Sequence, residues 1–150
     1  MAEQRRSRTA AELAPLVAEY IAAKDMEALA ELFDEDGRWE IVFGLSGLSP
    51  EELVVRGRRH IGKFHATMSS LIDTVRFYDS EVTAVTDELA FFEFRSDART
   101  VKGQSYGNRY ICKVKAKNGL IVHWLEFFDP RPAEMIRASM AEAIELGSVR

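Results

Sequence analysis

The segment from Ser105 to Pro130, SYGNRYICKVKAKNGLIVHWLEFFDP, constrains the fold of this chain more than any other, because it encodes two strands, a turn and one isolated carboxylate. In its first half Tyr106, Asn108, Tyr110, Cys112 and Val114 share one face, and Arg109, Lys113 and Lys115 share the other. Its second half, LIVHWLEFF, is apolar on both faces and leaves Glu126 among Trp124, Leu125, Phe127 and Phe128. A carboxylate in such company must be paired, protonated or used.

The side on which Glu126 falls depends on the turn. A two-residue Asn118-Gly119 turn pairs Lys117 with Leu120 and sets Glu126 beside Ile111, on the opposite face from Tyr110. A three-residue loop with Gly119 as a left-handed bulge pairs Ala116 with Leu120 and sets Tyr110 across from Glu126. Both registers are open from the residues alone. On the back face, Arg109 or Lys113 would be the partner of Glu126.

The rest of the chain supplies what packs on this hairpin. Thr9 and Glu12 form a capping-box pattern ahead of Leu13, Leu16, Val17, Tyr20 and Ile21, a helix with one buried face. A short second helix carries Met26, Leu29, Leu32 and Phe33, and the acidic corner Asp34-Glu35-Asp36-Gly37 ends it. Arg38 to Gly44 is expected as a strand with Trp39, Ile41 and Phe43 on one face, followed by a loop, Leu45 to Glu52, placed as a rim over a pocket. Arg58 to Leu71 is expected as a helix with Ile61, Phe64, His65, Met68 and Leu71 inward. From Thr74 the period changes to two, with Ala90, Phe92 and Phe94 on one face of the middle strand. The tail, from Pro132 to Leu146, is expected as a last amphipathic helix.

Helices first and an antiparallel meander afterwards define an α+β domain, residues 1–150, with helices packed on one face of a curved sheet. Such a sheet encloses a cone, and a cone lined by aromatic residues with a few polar groups is a pocket for a small hydrophobic molecule. A net charge of -4 excludes a broad basic surface for nucleic acid. The chain has no apolar run long enough for a membrane helix and no signal peptide, so the expected location is cytoplasmic. The single cysteine, Cys112, excludes an intrachain disulfide, and His60, His65 and His123 lack a metal-ligand spacing. No metal and no cofactor are expected.

Three segments, LVAEYIAAKDMEALAELFDEDGRWE, VVRGRRHIGKFH and YGNRYICKVKAKNGLIVHWLEFFDP, resemble the nuclear transport factor 2-like superfamily, the cone-shaped fold of ketosteroid isomerases and SnoaL-like polyketide cyclases. The last segment is most similar to the phenazine-biosynthesis A/B proteins. The resemblance implies that Tyr20 is an oxyanion-hole tyrosine, that Tyr110 falls near the oxyanion-hole aspartate of the isomerases, that His65 lies in the pocket and that Glu126 is an acid/base glutamate. Ile41 stands in place of the isomerases' general-base aspartate, and Arg58 in place of a histidine of the phenazine proteins.

The expected catalytic set is therefore Glu126, Tyr20, Tyr110 and His65, with Asn108, Trp39, Ile41, Phe92, Trp124, Phe128 and Phe64 binding substrate. The expected activity is an isomerisation, dehydration or cyclisation of a small apolar cyclic metabolite. A binder of the same shape without chemistry, and an interaction domain using the back of the sheet, are the competing readings. Phe91, Leu125 and Phe127 on that back face suit a homodimer.

Overall fold

The computed structural model describes residues 7–43, 47–138 and 145. Thr9 caps the first helix, α1 (Ala10–Ala23), through a reciprocal pair: its Oγ1 accepts from Glu12 N at 3.2 Å, and its own N–H donates to Glu12 Oε2 at 2.7 Å. The helix stops at Lys24, whose left-handed backbone turns the chain into α2 (Met26–Ala30), capped by Asp25. The first strand, β1 (Phe33–Ile41), begins before the acidic corner rather than after it, so Phe33 is a strand residue. The corner is accommodated as an irregularity: Phe33 pairs with Ile121, and the pairing resumes only at Arg38 with His123.

A 3-10 turn (Pro50–Leu53) leads to a short strand, β2 (Val54–Arg56), which sequence periodicity had not revealed at three residues. It is followed by α3 (Arg58–Leu71), then the meander β3 (Ile72–Thr86), β4 (Leu89–Thr100), β5 (Ser105–Lys117) and β6 (Leu120–Phe128). The sheet order is β2-β1-β6-β5-β4-β3, antiparallel except for the parallel pair β1–β6. The chain is thus α+β, a curved open sheet with α1 and α3 across its concave face. After β6 comes α4 (Pro130–Ala133) and one 3-10 turn, Glu134–Ile136. Of the expected C-terminal helix, Pro132 to Leu146, residues 139–144 and 146 lie outside the described residues.

The concave face holds the core. Trp39 and Trp124 are register partners whose rings stack at 5.0 Å, and Ala90, Val114 and Cys112 are fully buried beside them. The β5–β6 turn is the shorter of the two read in the sequence, but the strand register beyond it departs from both. Lys117 pairs with Leu120, and Asn118 and Gly119 both have positive φ (53° and 77°), so the loop is the two-residue turn. That register alone would send Glu126 to the convex face. A bulge intervenes: Ala116 pairs with Ile121 but Lys115 pairs with His123, so β6 carries one extra residue there. Beyond it Cys112 faces Glu126 and Tyr110 faces Phe128. The expectation that a two-residue loop makes Glu126 a back-face charge is corrected, because the bulge, not the turn, sets its side.

Candidate active site

The cone encloses a cavity of about 130 Å³. Of the residues expected at a site, Glu126, Tyr110, His65, Trp39, Ile41, Trp124, Phe128 and Phe64 line it; Tyr20, Asn108 and Phe92 do not. On α1 the cavity-facing residues are Val17, Ala18 and Ile21, and Tyr20, roughly 200° round the helix from Ala18, packs against the core from outside the cavity. Phe92 is buried behind Phe94 and Trp124, which do reach the cavity.

Asn108 is committed elsewhere. Its Oδ1 accepts from Asp129 N at 3.0 Å and Arg109 N at 2.8 Å, and its Nδ2 donates to Asp129 O at 2.8 Å and to the Tyr106 hydroxyl at 3.0 Å. With both sides of the amide occupied, it is a clasp that ties β5 to the end of β6 rather than a ligand-binding group.

Glu126 is 8 % exposed, between Ile41 of β1 and Cys112 of β5 in the sheet register. Arg109, a possible back-face partner, pairs with Glu93 at 3.7 Å instead. Burial raises the Glu126 carboxyl from 4.5 to about 7. The opposing hydrogen bonds come from Trp124 Nε1 at 3.5 Å and Cys112 Sγ at 3.7 Å, and both end on Oε1. The same burial, with the Glu126 charge beside it, holds the Cys112 thiol well above its usual range. His65 is 7 % exposed, edge-on to Trp39 at 4.2 Å and to Phe64 at 4.9 Å, and burial lowers it to about 3. It is a neutral imidazole at any working pH, and its Nε2 has no hydrogen-bond partner.

Residues that sequence reasoning had not singled out complete the lining. Tyr106 shares the Tyr110 face by simple alternation, and Ser96 lies on β4 in register with Asn108, between the two tyrosines. Tyr110 is stacked on Phe94 at 4.7 Å, and its hydroxyl meets Ser96 Oγ at 3.1 Å and the Tyr106 hydroxyl at 3.5 Å. Lys24, at the end of α1, also lines the cavity and donates through Nζ to Ile72 O at 2.6 Å and Ser69 O at 3.3 Å, joining α1 to the end of α3. Of the Leu45 to Glu52 loop, expected as a rim over a pocket, Leu48 and Pro50 border with Leu53 a hollow against Leu125 and Phe127, separate from the cone's cavity, while residues 44–46 lie outside the described residues. Among the described residues no three His, Cys, Asp or Glu side chains converge, and no helix is long and apolar enough to cross a membrane.

A curved, open mixed sheet with helices across its concave face and an apolar cavity holding one buried carboxyl defines an α+β fold of the cone type. The chain belongs to the SnoaL-like domain family, whose model matches residues 16–124. Among solved structures it is similar to a "putative isomerase" of Bacillus subtilis (22 % identity, TM-score 0.75, covering 87 % of this chain and 93 % of that one). It is also similar to a phenazine biosynthesis-related protein of Pseudomonas aeruginosa (19 %, 0.66, 85 % and 85 %). A "putative polyketide cyclase" of Pseudomonas putida is a third (20 %, 0.70, 85 % and 96 %). A search of curated proteins finds no match.

Proposed function

We propose that this chain is a cofactor-independent acid/base enzyme that isomerises, dehydrates or cyclises a small, apolar, cyclic metabolite. The observation that carries this reading is Glu126, a carboxyl raised to about 7 in an apolar cavity. Both of its protein donors hold Oε1, so the proton of the neutral form sits on Oε2. Oε2 then gives a proton when protonated and takes one when ionised. Neutral His65 and the two phenols add polarity without adding charge. The isomerase and cyclase names among the similar structures point the same way.

The test is exchange of α-protons. Cyclic ketones incubated with the protein in D2O should lose α-protons, followed by NMR, with a rate that changes about a midpoint near pH 7. Glu126→Gln should lower that rate by at least a hundredfold. A Gln variant with full exchange and the same pH profile would remove Glu126 from the chemistry, and binding without exchange would favour a carrier.

The convex face supports a second-copy interface. Ile111 and Phe127 form one cross-strand row and Phe91, Lys113 and Leu125 the next, with Phe43 edge-on to Phe127 at 5.8 Å. Phe43, Ile111 and Phe91 are exposed, while Glu93 and Lys113 supply charges of both signs. Light scattering should give the mass of a dimer, and Ile111→Glu should give the monomer.

A further inference from the structure

The polar groups of the cavity form a chain with a single direction. Asn108 is the starting point, because the backbone decides which end of its amide is which. Two N–H groups point at Oδ1 and one carbonyl accepts from Nδ2, so Nδ2 is a donor, and its other proton goes to the Tyr106 oxygen at 3.0 Å.

Ser96 obeys the same accounting. Its Oγ accepts from Asn108 N at 3.2 Å and meets the Tyr110 hydroxyl at 3.1 Å, and because the Tyr110 proton goes to Tyr106, Ser96 is the donor in that pair. Tyr110 then donates its own proton to the Tyr106 oxygen at 3.5 Å. Tyr106 accepts twice, and among the described residues its own proton has no acceptor. Its side chain lines the cavity with only 8 % exposure.

The concave curvature of β5 brings the two phenol tips together across the short Asn108 between them. Donors that feed one hydroxyl polarise its O–H and strengthen the bond it makes onward. Burial raises both phenols, Tyr110 well above its usual range, while the hydrogen bonds from Tyr110 and Asn108 act to lower Tyr106.

We propose that Tyr106 is the hydroxyl that binds substrate, donating to a carbonyl or enol oxygen on the ring, and that Tyr110, Ser96 and Asn108 are positioning residues acting through it. The substrate class is then a cyclic ketone, enone or phenol, with its oxygen at Tyr106 and its reacting carbon at Glu126. This rests on the acid/base reading, but the hydrogen bond is measurable without turnover.

The probes are 2-naphthol and naphthalene, the same rings with and without an acceptor oxygen, titrated by fluorescence into the full chain. Wild type should bind 2-naphthol more tightly. Tyr106→Phe should lose about tenfold in 2-naphthol affinity, about 1.4 kcal/mol, with naphthalene affinity unchanged. Tyr110→Phe and Ser96→Ala should lose less, about two- to fivefold, and Glu126→Gln should keep the preference for 2-naphthol. That last result preserves the Tyr106 role even if the exchange test above fails. If Tyr106→Phe does not fold, as read by circular dichroism, the graded losses in Tyr110→Phe and Ser96→Ala carry the test. Equal affinity of wild type for the two rings, no saturable binding of either, an unchanged preference in Tyr106→Phe, or a larger loss in Tyr110→Phe than in Tyr106→Phe would each overturn the proposal.

Discussion

Glu126 and His65 are both buried in the same cavity, and burial shifts them in opposite directions. The folded state holds a proton on Glu126 between about 4.5 and about 7 that the unfolded chain has released, so this group loses stability as pH rises through that window. The folded state withholds from His65 a proton that the unfolded chain binds between about 3 and about 6.5, so that group loses stability as pH falls through its window. Where the windows overlap the two slopes cancel. The contributions of these two groups to Tm should therefore cancel between about pH 4.5 and 6.5, with His123, also lowered by burial, and the other carboxylates contributing equally to all variants. Glu126→Gln should unmask a Tm that falls on acidification below pH 6.5, and should stabilise the protein above pH 7 by on the order of 3 kcal/mol. His65→Leu should unmask the opposite slope. A Glu126→Gln curve parallel to wild type would mean that the carboxyl is not raised. The side of Glu126 was left open by the turn and is set by the register of β6, whereas the inward placement of His65 was legible from helix spacing. Tyr20 was not, because its place on the helix stripe put it on a buried face, and only the packed angle of α1 separates facing the core from facing the cavity. Nor was the commitment of Asn108, whose partner Asp129 follows the neighbouring strand β6 and lies 21 residues away in the chain.

The element that decides the site is the β5–β6 hairpin. An Asn-Gly turn and an inward Glu126 look incompatible by residue counting, since side chains alternate with a period of two. The extra residue between Ile121 and His123 reconciles them. This was beyond sequence reading because neither Val122 nor His123 is a residue type that marks a bulge, and the irregularity belongs to β6 as it meets β1 and β5 together. Deleting Val122 should remove the bulge while preserving the pairs Lys117–Leu120, Lys115–His123 and Cys112–Glu126. The deletion variant should fold and retain the 2-naphthol site, with stability lowered on the order of 1 kcal/mol, as read by urea unfolding and fluorescence titration. Loss of binding in a folded deletion variant would show that the bulge does more than set parity.

For the molecule as a whole, the order of elements was enough for the architecture: a capped helix, a helical corner, a strand, a helix and a four-strand meander. What it withheld was the closure. The parallel β1–β6 contact brings Trp39 onto Trp124 and Ile41 beside Glu126, and Lys24 fastens the end of α1 to the α3–β3 junction at the cavity. These contacts join residues far apart in the chain, and no local spacing encodes them. Together they bury one carboxyl, and the proposed chemistry depends on that burial. The most direct measurement is a ¹³C NMR titration of the protein labelled at the glutamate side-chain carboxyl, with the Glu126 resonance assigned by its absence in Glu126→Gln. The expected midpoint is near pH 7; a midpoint near 4.5, that of an ordinary exposed glutamate, would contradict the acid/base assignment at its centre.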